Sequence, residues 1–215
     1  SGIGETKLGQ IKQSWQAQRE QLSFLSFVLD KGLEVTIGKR LWREYYSDAF
    51  DKCNNAPYEL IDTIQGMTFA VADRLAPETQ RFAQTRLLAA ISDVFNHYFK
   101  SAHVWMPFDQ FFNELSDRLQ WPNDDITQRL QELIFQQELP LVRDDSDQKW
   151  VTSKFYSQIE FNITNALDQL LVSPPSISID SDKAVYWVLP KLSYQLAEDQ
   201  LAALDGLLSN TVSIL

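Results

Sequence analysis

The chain has 215 residues, 44% of them hydrophobic, and a formal net charge of −10, which is enough apolar material for one large domain or two small ones. It holds no run of 18 apolar residues and no basic-then-apolar leader, so the sequence reads as neither membrane-spanning nor secreted. The single cysteine, Cys53, excludes an internal disulfide framework and fits a reducing cytoplasm. His97 and His103 beside one cysteine give no zinc spacing, and the acidic residues form no EF-hand loop, so no metal site is expected. Residues 1–100 carry 12 Lys+Arg and 12 Asp+Glu, whereas residues 101–215 carry 7 and 17. Any contact with nucleic acid therefore belongs to the N-terminal half.

Gly2-Ile3-Gly4 opens as though a hairpin had been cut, which suggests a piece of a longer protein. From Glu5 the apolar positions Leu8, Ile11, Trp15, Leu22, Leu25, Val28 and Leu29 recur at helical spacing, and Gly32 ends the helix. Glu34 to Thr36 is expected to turn. Ile37, Leu41, Trp42, Tyr45 and Phe50 then make the inner face of a helix whose outer side carries Lys39, Arg40 and Arg43. These three form the most basic local patch, open either to a solvated role or to phosphate binding.

Asn54-Asn55-Ala56-Pro57 punctuates the chain, since Pro57 fixes its own φ and biases Ala56 away from the helical region. A short helix, Tyr58 to Ile64, is broken by Gln65-Gly66-Met67, with Gly66 free to adopt positive φ. Thr68 can cap a following helix whose inner face is Phe69, Ala72 and Leu75. The unit is helix, hairpin, helix. Its turn and helix N-terminus can receive a phosphate oxygen on the backbone of Gly66, Met67 and Thr68 without reading bases, or it can serve only as a packed helical pair.

Pro77 to Thr79 reads as a linker or cap. Arg81 to Phe99 is an amphipathic helix with Leu87, Leu88, Ile91, Val94, Phe95, Tyr98 and Phe99 inward. His103, near aromatics and without a partner nucleophile or carboxylate, reads as structural, and no catalytic residue is expected anywhere in the chain. Phe108 to Leu119 and a helix started by Pro122-Asn123-Asp124 precede a hairpin made of Leu139 to Arg143, an acidic turn, and Lys149 to Val151. Helix, helix, hairpin is a winged-helix pattern. Asp124, Asp125, Glu132, Glu138, Asp144, Asp145 and Asp147 would repel phosphate there, which favours a structural or protein-contact role over operator recognition. Phe155 to Leu171 is a helix with Ile159, Ile163, Ala166, Leu167 and Leu170 on one face. A linker from Ser173 to about Tyr186 follows, then a helix containing Glu198, Gln200, Leu201 and Leu204, and a short apolar β-run from Thr211 to Leu215.

The stretch APYELIDTIQGMTFAVADRLA resembles the Asn-Pro-Tyr-x-Leu…Gly-x-Gly-Phe-x-x-Ala-Asp-x-x-Ala signature found ahead of the motor in RecD-like (RecD/TraA) superfamily 1 DNA helicases. Pro57, Tyr58, Leu60, Ile61, Gly66, Phe69, Ala72, Asp73 and Ala76 match. Ala56 stands where the family has Asn, and Thr68 where it has the second Gly; a β-branched residue resists the close backbone approach that Gly allows. LEVTIGKRLWREYY resembles another such repeat, with Tyr45-Tyr46 in place of a Tyr-Gly element. Gly2-Ile3-Gly4 with Lys7, Ile11, Trp15 and Gln18 resembles the tail of an earlier one. LLAAISDVF and Ala102-His103-Val104-Trp105 resemble later family segments. Gln200 with its flanking leucines resembles the Q motif, whose Gln contacts adenine.

The element pattern and the resemblance together imply a mainly α fold in four parts. Residues 1–100 would be a tandem helix-hairpin-helix array and 101–172 a winged-helix-like module with a small β-hairpin. Residues 173–192 would be a linker and 193–215 the first helix and strand of the motor. The resemblance implies an ATP- and magnesium-dependent parent truncated here before its phosphate loop, so that this piece holds no cofactor and does not hydrolyse ATP. It also implies binding to single-stranded or forked DNA without sequence preference, and other repair proteins as partners. The competing expectation is a non-enzymatic helical scaffold whose acidic half docks basic proteins.

Overall fold

The structure, a computed structural model, describes residues 4–173, 180–209 and 211. Two units divide after Thr152, where the sequence suggests boundaries near 100, 172 and 192. The first runs through the expected boundary at 100 because the helix before it and the helix after Pro107 share one core.

Helix α1 (Glu5–Asp30) is continuous over 26 residues. Its buried contribution is confined to the C-terminal end, where Phe24 and Val28 are sealed and Phe24 meets Phe50 edge-on at 5.0 Å between ring centres. Leu22 and Leu29, members of the apolar set at helical spacing, are exposed; the face that packs is the one holding Phe24, Phe27 and Val28. After Gly32, at φ +69, α2 (Val35–Tyr45) starts at once, so the expected turn at Glu34 to Thr36 is only the helix N-cap at Glu34. Gly38 lets α1 approach, since a Cβ there would lie 2.9 Å from a Leu25 methyl.

The second helix ends at Tyr46, with φ 49 and ψ −125, and Phe50 belongs to α3 (Ala49–Asn55) instead. Buried Cys53 on α3 has its thiol pushed up to about 12 by desolvation, which leaves it inert at neutral pH. Pro57–Glu59 is a 3₁₀ turn and α4 (Leu60–Thr63) a single helical turn, so the helix expected over Tyr58 to Ile64 is shorter and tighter. Then comes α5 (Phe69–Leu75), with Phe69, Ala72 and Leu75 buried as the spacing requires.

Helix α6 (Gln84–Tyr98) begins three residues later than expected, because Glu78–Gln80 forms a 3₁₀ turn. Leu88 faces out, while Arg86 is buried. Helix α7 (Phe108–Leu119) packs Phe111 on Phe95 with ring centres 5.1 Å apart, and α8 (Asn123–Phe135) buries Ile126, Leu130 and Leu133. Strands β1 (Met106–Pro107), β2 (Leu141–Arg143) and β3 (Lys149–Val151) form an antiparallel sheet in the order β1-β3-β2. Met106 and Leu141 both lie opposite Val151. The pair of strands expected is thus a trio. Two residues, the second of them a proline, are too short a run to carry a periodic signal, and Pro107 takes an edge where its missing N–H costs nothing.

One side-chain network ties these helices together. Buried Arg86 donates from Nε to Asp73 Oδ1 at 2.6 Å and from Nη2 to Asp73 Oδ2 at 3.0 Å. Its Nη1 reaches the carbonyls of Leu119 at 2.9 Å and Arg81 at 3.1 Å. The Tyr58 hydroxyl donates to Asp73 Oδ1 at 2.7 Å, and the guanidinium lies over the rings of Phe69 and Trp121. Burial works against the Asp73 carboxylate, but the hydrogen bonds from Arg86 and Tyr58 outweigh it and hold its pKa below the ordinary value. Burial likewise opposes the charge on Arg86, and Asp73 overcomes it.

In the second unit, α9 (Lys154–Val172) starts on Ser153, whose hydroxyl accepts the Tyr156 N–H. The apolar face read from the sequence is open: Ile163, Leu167 and Leu170 are all exposed. Helix α10 (Ser181–Val188), capped by Asp180, occupies part of the expected linker, and α11 (Glu198–Ser209) follows. The expected β-run over Thr211 to Leu215 lies, except for Thr211, outside the described residues.

Two stability measurements test this account. Asp73→Ala leaves a buried guanidinium unpaired and should cost about 3–5 kcal/mol in urea unfolding. Because the Asp73 pKa is depressed on folding, its contribution is present above the unfolded carboxyl value of about 3.9 and lost as pH falls below it; the variant should lack that part of the acid sensitivity. Tyr46→Gly relieves a conformation disfavoured for any residue with a Cβ and should raise stability by about 1 kcal/mol.

Candidate nucleic-acid interface

Two glycine turns lie side by side in the first unit. The first, Lys31-Gly32-Leu33, joins α1 to α2; the second, Gln65-Gly66-Met67, joins α4 to α5. Both glycines have positive φ, +69 and +88, which L residues with a Cβ adopt at a cost of about 1–2 kcal/mol. The residue after each, Leu33 and Met67, is buried, and the next, Glu34 and Thr68, is the N-cap of the following helix.

The correspondence continues at a constant offset of 34 residues. Ile37 pairs with Val71, Gly38 with Ala72, Arg40 with Arg74, and Leu41 with Leu75. The arginines use this symmetry, because each reaches the other repeat's turn. Arg40 Nη1 donates to the Gln65 carbonyl, and Arg74 Nη1 donates to the Gly32 carbonyl at 3.4 Å. Tyr45 and Thr63 share a hydroxyl hydrogen bond of 3.0 Å beside them. The groove between the turns encloses about 540 Å³ and is lined by Thr36, Arg40, Gly66 and Arg74, with Glu34 as its acidic member.

The sequence-derived candidates therefore separate. Lys39 and Arg43 are exposed and stand one turn apart on α2. Arg40, expected beside them in solvent, is only half exposed, because a residue's rotation of 100° along the helix turns it into the groove. Gly66 is exposed at the turn. Met67 is 5% exposed; its side chain is core, so it offers no side-chain contact to a ligand. Thr68 is exposed, and its hydroxyl accepts the Val71 N–H at 3.4 Å, as the capping argument requires. Gln200 sits in the other unit, where its side-chain oxygen accepts the Ala197 N–H at 3.0 Å, the reach of a capping-box residue back to the N-cap. His103 is exposed, with its ring 6.0 Å from that of Tyr98. Among the described residues no group of three or more His, Cys, Asp or Glu could hold a metal ion, and no helix is long and apolar enough to cross a membrane.

Gly32 and Arg74 were not singled out by spacing alone. The signal that finds them is the repeat itself, GLEVTIGKRL against GMTFAVADRL, in which the glycine-to-arginine spacing and hydrophobic pattern agree while the charges differ.

Two turns of this geometry, each between helices and each with glycine at positive φ, define a helix-hairpin-helix domain. Residues 17–105 match the family model described as the ATP-dependent RecD2 DNA helicase HHH domain. The match takes in both turns and Arg86 and stops one residue before β1. No curated protein matches the chain.

The two glycines give a matched test. Gly66→Ala is strained by its φ, and its Cβ would lie 2.8 Å from Arg40 Nη1, so the end of Arg40 must shift and its hold on Gln65 is disturbed. Gly32→Ala meets open space and bears only the backbone cost. Both should destabilise by about 1–2 kcal/mol, with Gly66→Ala the larger; equal losses in thermal unfolding would deny the Arg40 contact any part in stability.

Proposed function

We propose that this chain is the accessory N-terminal region of a RecD-like, ATP-dependent DNA helicase, and that its paired hairpins hold DNA backbone ahead of the motor. The observation that carries the reading is the reciprocal pair Arg40–Gln65 and Arg74–Gly32 within the segment that matches the RecD2 helicase HHH model. Hairpin backbone and nearby cations contact phosphates without distinguishing bases, so the ligand is single-stranded or forked DNA of any sequence. Lys39, Arg43, Gly66 and Thr68 form the contact set, with Arg40 and Arg74 fixing the turns. The exposed carboxylates of α8 and the β2–β3 turn keep phosphate away from the rest of the unit, so the module after Pro107 is a spacer or protein contact, which we read as winged-helix-like. ATP and magnesium would belong to the intact parent, with Gln200 placed on the adenine side, and the setting would be cytoplasmic DNA repair or recombination with other repair proteins.

A helical protein-interaction scaffold is the second reading. It is favoured by the exposed apolar residues Phe161, Ile163, Leu170 and Leu171 on α9 and by the acidic second half.

Binding of a fluorescein-labelled fork by the full chain separates the two. Affinity should fall steeply with salt and be indifferent to sequence. Lys39→Glu combined with Arg43→Glu should flatten the log–log salt slope by about 2, one for each phosphate that is no longer neutralised. No binding at low salt would leave the scaffold reading standing.

A further inference from the structure

Helix α1 has two faces, and the domain covers one of them and, at Leu25 against Gly38, only the edge of the other. Phe24, Phe27 and Val28 turn toward the core. On the opposite side Leu8, Trp15, Leu22 and Leu29 recur at intervals of seven and are 45%, 70%, 68% and 51% exposed, with Ile11 between the first two at 49%. These are the a positions and one d position of a heptad seam. Gln18 and half-buried Leu25 occupy the other d positions. Single exposed leucines need no explanation. A seam held in register over three heptads, about 33 Å of helix, is the surface that another helix covers in a coiled coil.

The flanks say which helix. From Lys7 on, the e and g positions beside the seam carry Lys7, Lys12 and Arg19 and no acidic residue. A second copy of this chain is a poor match. In a parallel pair Lys7 of one copy faces Lys12 of the other, and in an antiparallel pair centred on the seam Arg19 faces itself, where like charges select against pairing. An amphipathic helix with apolar a and d residues and acidic flanks satisfies both the apolar and the charged positions. We propose that α1 is a docking helix for such an acidic partner helix, one that extends from the hairpin domain without drawing on its interface.

The test uses the full chain and two synthetic peptides of three heptads. Both have leucine at a and d; one has glutamate at every e and g position and the other lysine. By calorimetry the glutamate peptide should bind about tenfold or more tightly than the lysine peptide. Leu22→Glu, at an exposed position, should abolish binding while leaving the circular dichroism and the melting temperature unchanged. Lys12→Glu with Arg19→Glu should reverse the preference. Equal binding of both peptides, or none of either, would overturn the proposal. A chain that sediments alone as a dimer and is made monomeric by Leu22→Glu would overturn it too, since the seam would then be filled by a second copy.

Discussion

A guanidinium taken out of water must be answered on every side that matters, and Arg86 is answered by three different segments, with a fourth acting through Asp73. Asp73 comes from the helix after the second hairpin, Tyr58 from the turn before it, and two carbonyls from Arg81 and the end of α7. None of these groups could be moved by a helical turn without leaving a buried charge short of a partner, and such a defect costs several kcal/mol. The arginine therefore does more than stabilise. It fixes the angle at which the hairpin pair meets the helices behind it, and hydrophobic contact, which is non-directional, could not do this.

This network also explains residues in the helicase-like signature that carry no obvious ligand chemistry. Pro57 is buried at the start of the 3₁₀ turn, which places Tyr58 to reach Asp73, and Phe69 lies against Arg86 and stacks on Tyr58 at 6.0 Å. Much of the Pro-Tyr and Ala-Asp pattern is thus architecture behind the hairpin. The turn in front is made from Gly66, Thr68 and the arginine that holds Gln65. A motif of this kind couples a recognition loop to its support, so a match to it speaks for the geometry of the loop before it speaks for the chemistry of any one side chain.

Helix faces with a strong period were legible from the sequence. Phe69, Ala72 and Leu75, the Thr68 cap and the positive φ of Gly66 all appear where local rules put them, because each depends on neighbours within four residues. What stayed hidden depends on distant residues. The burial of Arg86, the turn of Arg40 into the groove and the strand at Met106 each require a partner 13 or more positions away. Leu22 and Leu29 show the converse: period identifies an apolar face, but the domain covers a different one. Thr68 also bears on the hairpin, since its hydroxyl is occupied by the cap, a contact that a glycine at this place could not make.

The crossed arginines have a consequence for how such a unit can arise and change. Each repeat supplies the clasp for its twin's turn and none for its own, so half of the pair would present a turn without its clasp. The two copies can diverge in their charges, as Lys39 and Asp73 have done at equivalent places, but not in the eight-residue interval from glycine to arginine. The smallest self-supporting module here is the pair, since a change of that interval in one repeat would carry its arginine off the other's turn, whereas beyond the arginine the helices are free to differ, as 11 and 7 residues do here.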